Sequence, residues 1–105
     1  MRLIKSQGEK NESKKNIINL LKNLSNLNFK YRLLDGKVDI LFPEKETFIY
    51  LDKTESFIFI YLFVKKRHNL NELSLNLQKK YKIKKDNSIK KIEKFLDEIN
   101  AATSL

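Results

Sequence analysis

From Phe29 to Leu34 apolar and polar residues alternate, and from Asp52 onward the apolar positions recur at helical spacing. The first period marks strands and the second marks helices. Phe29-Lys30-Tyr31-Arg32-Leu33-Leu34 reads as a strand, and Asp35-Gly36 as a hairpin turn, because glycine takes positive φ without a steric penalty. Val38 to Phe42 is the returning strand. Pro43-Glu44-Lys45-Glu46 then interrupts the ladder, since proline has no N–H to donate. Thr47-Phe48-Ile49-Tyr50-Leu51 completes a three-stranded antiparallel meander. Thr47, Ile49 and Leu51 share one face of this strand, and Phe48 and Tyr50 the other. Both faces are largely apolar, which predicts that both are covered.

Three helices are expected after the sheet. Asp52 and Glu55 form a capping-box pattern ahead of Phe57, Ile58, Ile60, Tyr61, Leu62 and Val64, a run apolar on nearly every side that reads as the central core helix. It stops at Lys65-Lys66-Arg67. Asn69 and Glu72 repeat the capping signature before Leu70, Leu73, Leu75, Leu77 and Tyr81. The last helix carries Ile89, Ile92, Phe95, Leu96 and Ile99 on one face, with Asp86 or Ser88 as its cap. Upstream of the sheet, Ile17, Leu20, Leu21, Leu24 and Leu27 make an amphipathic helix from Ser13 to Leu27. It is a candidate cover for the second face of the third strand. Docking to a membrane surface or a partner is the alternative, but its polar face is rich in Asn rather than densely basic. A homodimer through this helix is a further reading.

The expectation is an α+β fold: a three-stranded antiparallel sheet followed by three helices, with an extra N-terminal helix. Residues 1–27 form the tail and amphipathic helix, and 28–105 the sheet-and-helix unit. No repeat or low-complexity linker divides the 105 residues, so one domain is expected. No secretory signal is visible, and the longest apolar run, Phe57 to Val64, falls far short of the roughly 20 residues of a membrane span. The chain has no cysteine, which removes disulfides and thiolate zinc sites and fits a cytoplasmic setting.

The net charge of +9 has two readings: a proteome rich in Lys, Asn and Ile, or an acidic partner such as nucleic acid, anionic lipid or an acidic peptide. Lys79, Lys80, Lys82, Lys84, Lys85, Lys90, Lys91 and Lys94 crowd one region, opposed there by Asp86 and Glu93. Arg occurs only at positions 2, 32 and 67, which does not favour readout of base edges.

No catalytic constellation is present. The single histidine, His68, lies in a polar loop. Asp97 and Glu98 are adjacent on a helix and point apart. The two glycines, Gly8 and Gly36, are too far apart for a phosphate loop. With no metal or cofactor site indicated, the chain reads as a binding module rather than an enzyme. An exposed sheet edge is a template for another strand, and Thr47 to Leu51 is the candidate edge.

The ordered set Pro43-Glu44, Tyr50-Leu51-Asp52, Phe57-Ile58 to Leu62, Asn69-Leu70-Asn71-Glu72-Leu73, Leu77 with Tyr81, and Phe95-Leu96 with Ile99 resembles the PqqD-like proteins, or RiPP recognition elements. The resemblance covers about residues 28 to 100. Lys65 and Lys66 stand where that family usually has Gly, and Asn100-Ala101-Ala102-Thr103 where it usually has a Gly-Leu-Leu-like segment. The resemblance implies a winged-helix-like domain that binds the leader peptide of a ribosomally made, post-translationally modified precursor. It implies presentation of that peptide to a modifying enzyme such as a radical SAM maturase, a cyclase or a leader peptidase. It also implies a groove in which the leader adds as a strand beside Thr47, Phe48, Ile49, Tyr50 and Leu51, walled by Ser88, Lys91, Ile92 and Phe95 of the last helix. Lys84, Lys85, Lys91 and Lys94 near that groove would favour an acidic leader. The alternative is a basic winged-helix protein that binds nucleic acid.

Overall fold

The computed structural model describes residues 21, 22, 24 and 27–103. Strand β1 is Lys30–Leu34, β2 is Lys37–Phe42 and β3 is Thr47–Tyr50, forming an antiparallel sheet in the order β1-β2-β3. Asp35 and Gly36 turn the first hairpin with φ of 53° and 75°, the primed geometry that matches the twist of the flanking strands. Pro43–Lys45 is a single 3-10 turn between β2 and β3, closed by Glu46 in the left-handed region and its N–H bond to the Pro43 carbonyl.

Helix α1 is Lys53–Phe59, and it runs on as a π-turn over Ile60–Val64, closed by a bond from Lys65 N–H to the Ile60 carbonyl at 2.8 Å. The capping box is complete: Asp52 Oδ1 accepts from Glu55 N–H at 2.8 Å, and Glu55 Oε1 accepts from Asp52 N–H at 3.0 Å. Helix α2 is Leu70–Tyr81, capped by Asn69 Oδ1 on Glu72 N–H at 3.1 Å. Here the box is half formed. Glu72 Oε1 faces Arg67 at 3.2 Å and the Tyr61 hydroxyl at 3.1 Å instead. Helix α3 is Lys85–Thr103. Ser88 N–H already bonds the Lys84 carbonyl, so Asp86 and Ser88 lie inside the first turn and neither is the cap expected from sequence.

The core lies between the sheet and the three helices. Val38, Ile40 and Phe42 of β2 meet Ile58 and Phe59 of α1, Leu73 and Leu77 of α2, and Ile92, Phe95, Leu96 and Ile99 of α3. Phe29, Phe59 and Phe63 close one end, with Phe59 and Phe63 stacked at 5.4 Å and Phe29 edge-on to both. Among the described residues Ser56, Ser74, Ser88 and Thr103 are the buried polar ones, and every buried side-chain polar atom there has a hydrogen-bond partner.

Of the helix expected from Ser13 to Leu27, residues 13–20, 23, 25 and 26 lie outside the described residues. Leu21, Lys22 and Leu24 are helical, and Leu21 and Leu24 belong to the core. Their position corrects one expectation. Leu24 sits with Phe29, Ile40, Phe42, Phe59, Phe63 and Ile99, on the inner face of the sheet, not over Phe48 and Tyr50. The void enclosed by these side chains is about 10 Å³, too small for a ligand. Among the described residues nothing covers the outer face: Phe48 is 48% exposed and Tyr50 73%.

Candidate functional site

The orientation of β3 follows from its register. Its partners on β2 are Phe42 for Thr47, Leu41 for Phe48, Ile40 for Ile49 and Asp39 for Tyr50. Leu51 N–H bonds the Val38 carbonyl at 2.9 Å, so that pair is hydrogen-bonded. Antiparallel pairs alternate, so Ile49 and Thr47 also turn their N–H and C=O groups toward β2. Phe48 and Tyr50 turn theirs the other way, to the open edge. Among the described residues β3 pairs with β2 alone, and none outside the ladder bonds the backbone of Phe48 or Tyr50. Val38 N–H would continue the ladder, but Ser56 Oγ accepts it at 2.7 Å, tying β2 to α1 and ending the pairing at Leu51.

The side chains of the edge divide by face. Ile49 is half-buried and Leu51 buried on the inner side, while the rings of Phe48 and Tyr50 lie 5.0 Å apart on the outer side. The outer face forms two cross-strand rows, Lys30–Leu41–Phe48 and Arg32–Asp39–Tyr50. In the second row Arg32 Nε bonds Asp39 Oδ2 at 3.0 Å, so its charge is satisfied within the sheet.

Helix α3 supplies a different wall from the one expected. Ser88, Ile92 and Phe95 are all buried and cannot line an open groove. Ser88 Oγ donates to the Lys85 carbonyl at 2.6 Å and accepts from Ser74 Oγ at 2.5 Å, and Ser74 in turn accepts from Gln78 Nε2 at 3.2 Å. This relay joins α2 to α3 inside the core. α3 approaches β3 at its C-terminal end, where the Thr47 hydroxyl, which donates to the Lys45 carbonyl at 2.9 Å, lies 3.5 Å from the Ala102 carbonyl. At 1.5 Å per residue, the Lys84–Lys85 end of the helix rises about 25 Å from Ala102. Lys91 is exposed on α3, and Lys94 lies 3.9 Å from Glu98. Lys80 lies 4.9 Å over the Phe57 ring, so part of the lysine cluster packs on the domain itself.

One turn before Ala102, Glu98 faces the start of α1. Burial raises the pKa of the Glu55 carboxyl above its usual value, and the nearby charges of Asp52 and Glu98 add to the rise, while the hydrogen bond from Asp52 N–H opposes it. The end of the edge nearest α1 therefore carries the acidic groups Asp52, Glu55 and Glu98, the last of them beside Lys94. In the sequence Glu98 and Ala102 figure only as part of an acidic pair and of the C-terminal segment, and Leu41 is not singled out. They enter through the crossing of α3 over β3 and through cross-strand register, which no local pattern encodes. His68 is exposed, and no three His, Cys, Asp or Glu side chains among the described residues form a metal cradle. No described helix is long and apolar enough to cross a membrane.

What fold and site define together is a small α+β domain whose sheet, among the described residues, is open at both edge strands, with an exposed aromatic pair on β3. No protein family, curated protein or solved structure matches the chain.

Proposed function

We propose that this chain is a winged-helix-like, peptide-binding adaptor of the PqqD-like kind. It takes up the leader peptide of a ribosomally made precursor as a strand at β3 and presents it to a modifying enzyme. The observation that carries this reading is the β3 edge, where Phe48 and Tyr50 direct backbone donors and acceptors away from β2. Two further features support it. The elements follow in the order the resemblance implies, with a capping box at Asp52 and a cap at Asn69. Lys66, near where the family usually has Gly, adopts φ of 55°, a conformation glycine favours. Leu21 and Leu24 would belong to the domain, since both are buried in its core.

A test is titration of the protein into a fluorescent leader peptide encoded by a short open reading frame beside its gene. Random duplex DNA is titrated in parallel, both across a salt series. The adaptor reading expects peptide binding that weakens only mildly with salt. Duplex binding through several lysines would instead fall steeply as salt rises. Salt-sensitive DNA binding without peptide binding would overturn the adaptor and support the second reading, a basic nucleic-acid-binding domain, which the net charge of +9 favours.

A further inference from the structure

Resting on the reading of β3 as the peptide-binding edge, we propose that the incoming strand carries two apolar side chains separated by one residue, seated beside Phe48 and Tyr50 on the outer face of the sheet. A strand that bonds the outward backbone groups of Phe48 and Tyr50 must place its own residues j and j+2 directly opposite them. In an antiparallel or parallel sheet the side chains of such neighbours lie on the same face, about 4.8 Å away. That face is the outer one, where the two rings are 48% and 73% exposed. The four residues of β3 leave room for few other contacts on this side.

The charges near these two positions decide their chemistry. Next to Phe48 the row continues as Leu41, and Lys30 lies two strands from Phe48 and three from the incoming residue. Next to Tyr50 stands Asp39, already bonded by Arg32. Lys37, exposed on the same face of β2, pairs with Leu34 and lies one step beyond Asp39 along that strand, so neither position has a cation in its own row on β2. The lysine cluster belongs to α2 and α3, which pack against the inner face. An acidic side chain at j or j+2 would be desolvated without a partner, whereas an apolar one covers aromatic surface. The expected peptide thus has an apolar pair at alternate positions, and any acidic residues lie outside it.

The full-length protein, immobilised, is used to select from a displayed library of random dodecapeptides, with Phe48→Pro selected in parallel. Phe48→Pro removes the edge donor. Enriched peptides that share two apolar residues one apart, and are lost with Phe48→Pro, are the expected result. Tyr50→Ser and Phe48→Ser should each then weaken a selected peptide about threefold to fivefold, the size of one cross-strand pair. Peptides lost with Phe48→Pro but lacking the alternate apolar pair, or unmoved by both serine variants, would overturn this inference and leave the edge standing. Peptides enriched equally by Phe48→Pro, or none at all, would overturn both. A fluorescent oligo(dT) 15-mer is the last probe. Binding that Tyr50→Ser abolishes, without peptide enrichment, would make the face a base-stacking platform and overturn the proposal.

Discussion

Two prolines placed one residue apart on β3 should have very different effects. Ile49 is half-buried, faces inward and pairs with Ile40, so its N–H belongs to the ladder. Ile49→Pro removes that bond and leaves a carbonyl on the central strand unpaired, which costs about 1–3 kcal/mol. Replacing the Ile side chain loses part of its packing, roughly another 1 kcal/mol. The total of about 3 kcal/mol is a large share of the 5–15 kcal/mol that holds a typical domain together. For a chain of this size it lowers Tm by roughly 12–24 °C. The backbone N–H of Phe48 faces outward, so Phe48→Pro removes a donor that bonds no other described residue. Residue 47 is already extended, as a residue before proline prefers. The loss is confined to the ring contacts with Leu41 and Tyr50, about 1 kcal/mol. Urea titration followed by circular dichroism reads both. Equal losses, or a larger loss for Phe48→Pro, would refute the assigned direction of the β3 backbone groups.

Lys66 holds φ of 55°, so Lys66→Gly should relieve strain and raise stability by roughly 0.5–1 kcal/mol, read as an increase in the urea midpoint. Ser88→Ala should cost about 1–2 kcal/mol because it strands the buried Ser74 hydroxyl, while Ser74→Ala combined with Ser88→Ala should cost less than the sum of the two single changes. Additive losses in that double-mutant cycle would deny the relay. Folding raises the Glu55 pKa above its usual 4.5, so the folded state holds that proton more tightly than the unfolded chain. Its contribution to stability therefore falls as pH rises from 4.5 through the folded pKa. Glu55→Gln keeps a carbonyl oxygen for Asp52 N–H and should flatten that fall, seen as a smaller difference in urea midpoint between pH 4.5 and pH 7.

Local patterns carried the elements. The Asp35-Gly36 turn, the break at Pro43 and the cap at Asp52 are each fixed by the chemistry of one or two residues, and each stands where the pattern predicts. What depends on three dimensions was less legible. Ser88 reads as a surface or cap residue by type, yet it is buried because α2 offers Ser74 at hydrogen-bonding distance. Phe48 and Tyr50 read as a covered face by hydropathy, yet Leu24 packs on the opposite side of the sheet. The lysines read as flanking the groove by their order in the chain. However, α3 meets β3 at Ala102, at the far end of the helix from Lys84 and Lys85. The edge itself was legible as a strand, but which of its backbone groups face outward came only from the bond between Leu51 and Val38.

The most direct test of the central claim is residue-resolved amide hydrogen exchange on β3, with and without the leader peptide. In the free protein the amides of Phe48 and Tyr50 should exchange fast while that of Ile49 is protected. Saturating peptide should slow Phe48 and Tyr50 and leave Ile49 little changed. Slow exchange at Phe48 and Tyr50 in the free protein, or no change in either when the peptide is bound, would contradict strand addition at this edge.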